Sequence, residues 1–137
     1  MKIENTLNIA TRSLNKFNIK NSYLDSELLL SKVINKDKKY FILNSKKIIK
    51  KKQLDYFYNL VNRRKKGEPI AYILKKKEFW RNNFYVDKNV LIPRPDTELI
   101  VEKLINFSTI KSGLQVLDIG TGSGCILLSF LKEKPNF

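Results

Sequence analysis

Residues 114–128 read LQVLDIGTGSGCILL, and this stretch decides how the chain is organised. "LQVLDI" is short, apolar and β-branched, the pattern of a strand buried on both faces of a parallel sheet. Three glycines then fall within five residues, at Gly120, Gly122 and Gly124. "CILLSFLKEK" follows at helical spacing. Strand, glycine loop and helix open a ligand-binding α/β unit. Glycine is useful there because it reaches backbone angles other residues avoid and lets a ligand approach the main chain. The helix N-terminus behind the loop favours a carboxylate or phosphate.

One ligand loop is excluded by the residues themselves, and a second matches poorly. A nucleotide-hydrolase loop needs Lys directly after its last glycine, and Cys125 stands there. The dinucleotide fingerprint needs a third glycine where, counting from Gly120 and Gly122, Cys125 again stands. What remains is acid-x-G-x-G-x-G, built from Asp118, Gly120, Gly122 and Gly124. It resembles the first motif of S-adenosylmethionine-dependent methyltransferases. A carboxylate at Asp118 suits the cationic side of that ligand or orders the loop.

Upstream the pattern is helical. Leu7, Ala10, Leu14 and Phe17 form one apolar stripe. "NSYLDSELLLSKVI" opens with Ser22 as an N-cap and Asp25 three residues later, a near capping box. Leu24, Leu28 and Val33 or Ile34 are the expected core positions there. "KKYFIL" is too short to assign. Leu54, Phe57, Leu60, Val61 and Arg64 share helical spacing, and Gly67 suits the left-handed position after the helix, before Pro69. "IAYILKKKEFWRNNFYVDKN" is rich in β-formers and predicts a hairpin turning at Asn82 and Asn83. Pro93 and Pro95 make a stiff entry to a helix capped by Asp96 or Thr97, with Leu99 or Ile100, Leu104 and Phe107 on its apolar stripe.

The totals bound the function. The 137 residues allow one domain or two small ones. No apolar run reaches the ~20 residues of a membrane span, and "MKIENTLNIATRSLNKF" has no signal-peptide core. A single cysteine, Cys125, forms no internal disulfide. Together these point to the cytoplasm. The net charge of +14 reads either as a surface for an anionic partner or as a compositional bias, since the chain is rich in Lys, Asn and Ile. The lysines are spread widely and do not interleave with aromatics as a base-stacking surface would.

Three further pieces join the glycine loop: "RRKKGEPIAYI" (63–73), "EFW" (78–80) and "LIPRPDTELIVE" (91–102). With "LDIGTGSGCI" they make the chain resemble the peptide chain release factor glutamine methyltransferases, the HemK/PrmC family. The resemblance spans the whole chain, with the first 60 residues agreeing mainly in helical pattern. It implies an α plus α/β fold: a helical release-factor-binding domain over 1–66, a β-hairpin linker over 67–95, and the start of a Rossmann-like methyltransferase domain over 96–137. It implies S-adenosyl-L-methionine as cofactor, held by Asp118, Gly120, Thr121, Gly122, Ser123 and Gly124, with Arg94, Thr97 and Glu98 beside it. Pro93 and Pro95 would sit near the same cleft. It implies release factors as partners, no membrane, no direct nucleic-acid ligand, no metal and a monomer. The activity implied is N5-methylation of the glutamine in the Gly-Gly-Gln motif.

The family's Asn-Pro-Pro-Tyr segment, which holds the target amide, does not occur in the sequence, so no catalytic residue is assigned and this chain alone is expected to be inactive. With one strand and no sheet, residues 98–137 are not expected to form a stable domain alone, and Ile126, Leu127, Leu128, Phe130 and Leu131 are expected to be exposed. Two other functions compete: a docking module without chemistry, and a nucleic-acid adenine methyltransferase or binder.

Overall fold

A computed structural model describes residues 1–110 and 115–135. The chain divides into two compact units, Met1–Leu74 and Lys75–Phe137.

The first unit is helical: α1 (Ile3–Asn15), α2 (Ser22–Ile34), α3 (Lys38–Leu43), α4 (Lys51–Lys65) and α5 (Ile70–Leu74). Its core is Leu7, Ala10 and Leu14 of α1, Leu29 and Leu30 of α2, Phe41 of α3, and Phe57, Leu60 and Val61 of α4. The start of the chain is tied to the α3–α4 connection through the Ile3 and Glu4 amides, which donate to the Lys47 and Ser45 carbonyls at 3.0 Å each. Asp37 caps α3 by accepting from the Tyr40 amide at 2.9 Å, so "KKYFIL" is helical. Gly67 takes the left-handed angle, φ +89°, as the stop after α4 requires.

Several local expectations are corrected. Phe17 lies beyond the end of α1 and is 55% exposed, with the Lys65 ammonium 5.0 Å over its ring. In α2, Ser22 is the first helical residue and its hydroxyl donates to the Ile19 carbonyl. No side chain caps α2. Asp25 instead pairs with Arg64 of α4, Nε to Oδ2 at 2.7 Å. Leu24 is exposed, and the buried face runs through Ser22, Asp25, Ser26, Leu29 and Leu30. Small side chains on that face, with Thr6 and Ala10 of α1, let α1 and α2 pack closely. An apolar count underestimates such a face because the stripe runs through serine.

Ile70–Leu74, read as the beginning of the hairpin, is the helix α5. The Tyr72 and Ile73 amides both donate to the Pro69 carbonyl, so Pro69 starts a helix as well as ending one.

The second unit holds the hairpin β1 (Lys77–Phe79) and β2 (Asn82–Phe84), then a 3₁₀ turn at Pro95–Thr97, α6 (Glu98–Ile110) and α7 (Cys125–Glu133). The turn is Trp80-Arg81, not Asn82-Asn83. Both turn residues have positive φ, +46° and +60°, which a two-residue hairpin of this kind demands. The register pairs Phe79 with Asn82 and Lys77 with Phe84, so Phe79 and Phe84 share a face and meet edge-on, centroids 6.1 Å apart. A turn two residues later would put Arg81 on the buried face beside Phe79, because side chains alternate along a strand. Left-handed angles cost a non-glycine residue ~1–2 kcal/mol. Hydrogen bonds hold this turn: the Trp80 amide donates to Glu98 Oε1 at 2.9 Å, its indole N–H to Glu133 Oε1 at 3.1 Å, and the Asn82 amide group to the Trp80 carbonyl at 2.8 Å.

The core of this unit is Phe79, Phe84, Val101 and Cys125, with Trp80, Ile105 and Ile126 against it. α6 therefore turns Val101 inward, while Leu99, Ile100 and Phe107 are exposed. Phe130 of α7 is fully buried, contrary to expectation, and Leu128 is exposed. Residues 115–118 join no sheet among the described residues, and Leu117 and Ile119 lie in the open. A strand needs a hydrogen-bonded neighbour, and the only sheet described is the β1–β2 hairpin. The expected strand also includes Leu114, which lies outside the described residues.

Candidate functional site

The prolines of "LIPRP" restrict the backbone and bring this segment against the glycine loop. Together they wall a cleft of about 150 Å³. Its lining includes Arg94 and Thr97 from this segment and Gly120, Thr121, Gly122 and Ser123 from the loop. Leu91, Ile92 and Pro93 add apolar lining, as do Cys125 and Ile126 from the first turn of α7.

The loop's conformation explains its composition. Gly120, Gly122 and Gly124 all have positive φ, +78°, +55° and +74°. A Cβ built on Gly120 would meet nothing within 4 Å, so open space lies over the backbone there. Glycine is required at that position by its angle, and the vacancy beside it leaves room for a ligand to lie on the main chain. The Thr121 hydroxyl donates to Asp118 Oδ2 at 3.0 Å, and the Gly124 amide to the Thr121 carbonyl at 2.8 Å. Asp118 thus braces the loop from behind.

Of the residues singled out in sequence, Arg94, Thr97, Gly120, Thr121, Gly122 and Ser123 line the cleft. Asp118, Gly124 and Glu98 do not line it. Gly124 precedes α7, and the Glu98 carboxylate is engaged with the Trp80 amide. Leu91, Ile92, Cys125 and Ile126 were not singled out as site residues. Their only signal is adjacency to the motifs. Arg94 is exposed and free to meet an anionic group. Among the described residues no cluster of His, Cys, Asp and Glu could hold a metal ion.

A family model for the PrmC N-terminal domain matches residues 5–74, over half of the chain and nearly all of its helical unit. The chain belongs to the PrmC N-terminal domain family. Family members in this sense include proteins that extend beyond the helical unit. The release factor glutamine methyltransferase of Clostridium acetobutylicum is 41% identical, over 96% of this chain and 46% of its own length. That of Buchnera aphidicola is 45% identical, over 87% of this chain and 43% of its own length. The bifunctional methyltransferase of Rickettsia felis is 37% identical, over 98% of this chain and 31% of its own length. The chain thus spans less than half the length of these curated relatives. Among the described residues, no helix is long and apolar enough to cross a membrane.

Proposed function

We propose that this chain supplies the helical domain and the first cofactor loop of a methyltransferase. The enzyme moves a methyl group from S-adenosyl-L-methionine to the side-chain nitrogen of the glutamine in the Gly-Gly-Gln motif of peptide chain release factors. The observation that carries this reading is the cleft lined both by Arg94 and Thr97 and by the loop whose Gly120 and Gly122 have positive φ.

The residues present fit the cofactor. Open space over Gly120 suits a ligand that lies on the backbone, and the apolar lining at Leu91 and Ile92 suits a partly apolar one. The cofactor, when bound, supplies a methyl group on a sulfonium as the electrophile. Arg94 binds a carboxylate by charge-assisted hydrogen bonds, Thr97 and Ser123 offer hydroxyls, and Asp118 keeps Thr121 in place. Glu98 acts at one remove, by holding the hairpin turn that packs against α6. At about 150 Å³ the cleft is smaller than the ~300–1,000 Å³ of small-molecule sites, so these residues form one wall of the site. A glutamine amide nitrogen is a weak nucleophile, and its methylation requires the amide to be held and its developing charge stabilised. None of the residues lining this cleft is assigned that task, and the isolated chain is inactive in this reading.

The apolar surface of the second unit supports a Rossmann-like continuation. Leu99, Ile100 and Phe107 of α6 and Leu117 and Ile119 before the loop are uncovered, as suits elements that flank a parallel sheet. The reading places the protein in the cytoplasm as a monomer.

The test is mass spectrometry of the release factors after deletion of the gene that encodes this chain. The peptide containing Gly-Gly-Gln is expected to become lighter by one CH2, as a methyl group is replaced by hydrogen. A peptide that stays fully methylated overturns the reading.

A further inference from the structure

The helical unit carries a second cavity, far from the glycine loop in sequence and independent of the methyl-transfer reading. It lies between α1, α2 and α3 and has a volume of about 160 Å³. That is below the ~300–1,000 Å³ of a small-molecule pocket and of the scale of one long side chain. Its walls are aromatic and aliphatic, with Tyr23, Phe41 and Leu7 among them. Two of the chain's 13 acidic side chains, Glu4 and Glu27, also line it.

Glu27 is the unusual group. It is 6% exposed, and carboxylates are rarely buried this far unless they are well paired. Asp25, two residues earlier on the same helix and equally buried, has that pairing: Arg64 Nε lies 2.7 Å away. The charged partner of Glu27 is Lys38, with Nζ at 4.0 Å from Oε2 and a side chain 64% exposed. That contact is too long for a hydrogen bond. One buried carboxylate on α2 is therefore satisfied, while the other faces a cavity with a loosely held ammonium at its edge.

We propose that this cavity is a docking site for an arginine side chain of a partner polypeptide. The guanidinium reaches Glu27, displaces Lys38 and lies against the faces of Tyr23 and Phe41. Arginine is favoured over lysine because its planar fork matches a carboxylate and stacks on aromatic rings. Charge complementarity is local: the site offers carboxylates in a chain of net charge +14.

The test is an NMR titration of the ¹⁵N-labelled 137-residue chain with N-acetyl-arginine amide, with N-acetyl-norleucine amide as the neutral control. The arginine probe is expected to give saturable shifts at the Leu7, Glu27 and Phe41 amides, and the control none. Glu27→Gln is expected to weaken binding by about tenfold or more, as for loss of a charged hydrogen-bond partner. Lys38→Ala is expected to tighten it by a few-fold, since it removes the resident competitor. Lys38 is exposed, so that variant reads the site even if Glu27→Gln fails to fold. Absence of saturation, undiminished binding by Glu27→Gln, or weaker binding by Lys38→Ala each overturns the proposal.

Discussion

The two units are built from similar amounts of apolar sequence and differ in how much of it they cover. In Met1–Leu74 the stripes of α1, α2 and α4 meet around Phe57, Leu30 and Leu14, all fully buried. In the second unit α6 is apolar on several faces, yet only Val101 is fully buried. Ile110, Leu117 and Ile119 are each more than 80% exposed. A helix that is apolar all round belongs inside a larger core. The first unit gathers its helical stripes around one core and leaves Ile42, Leu43 and Ile48 outside it, while the second buries a smaller set around Phe79 and leaves most of α6 uncovered.

The largest expected effect tests that contrast directly. Phe57→Ala empties the centre of the closed core and is expected to cost the helical unit ~3–5 kcal/mol, read by urea denaturation. Phe79→Ala removes an equally buried ring from the second unit and is expected to leave that transition unchanged. Native-state hydrogen exchange sharpens the same point. Amides of Leu30 and Leu60 are expected to be far better protected than those of Val101 and Cys125. Equal protection in both units breaks the comparison.

Next in size is the buried ion pair. Asp25→Asn leaves the Arg64 guanidinium, whose side chain is 19% exposed, without its carboxylate. It is expected to destabilise the helical unit by about 3 kcal/mol, measured by the shift in urea midpoint. A neutral result would mean that Arg64 is satisfied by its other bond, Nη1 to the Glu68 carbonyl at 3.1 Å.

In the second unit, Gly122→Val forces a β-branched residue to φ +55°, at a local cost of ~1–2 kcal/mol. It is expected to abolish any S-adenosyl-L-methionine binding seen by equilibrium dialysis and to leave the helical unit's urea midpoint unmoved. Retained binding would detach the loop from the proposed site.

The smallest effect is a pH dependence. Arg63 donates to both Glu68 oxygens and holds the Glu68 carboxyl below its usual range, chiefly by hydrogen bonding. The folded value is the lower one, so the stabilisation is present above the ordinary carboxylate pKa. It is lost as pH falls through the depressed value. Both side chains are about a third or more exposed, so the pair is worth no more than ~1 kcal/mol. Glu68→Gln should flatten the acid limb of stability against pH by that amount. An unchanged limb assigns the acid sensitivity to other carboxylates.

Some of this was legible without coordinates. The stripe Leu7, Ala10, Leu14 and the stripe Phe57, Leu60, Val61 were read correctly, because amphipathic helices on one closed core keep strict spacing. The glycine loop was legible because its angles admit little else, and "IPRP" because two prolines leave few conformations. The α2 face was read in part: Val33 and Ile34 pack against the core as expected, but Leu24 is exposed and the face is buried through Ser22 and Ser26, where hydrophobicity gives no signal. The hairpin turn was misread because Trp80 and Arg81 are poor residues for positive φ. The bonds that hold them there come from Glu98 and Glu133, 18 and 53 residues away from Trp80. α6 was misread because a helix apolar on several faces does not say which face is covered first.

By itself the sequence determined the helical nature of the first unit, the loop after residue 118 and the stops at Gly67 and Pro69, since each rests on local backbone preference or on a period within one element. Only the tertiary structure decided which carboxylate of α2 is paired, which residues turn the hairpin, and that Arg94 and Gly120 line one cleft. Those depend on groups distant in sequence that become neighbours only when the chain is folded, and no local propensity encodes such a meeting.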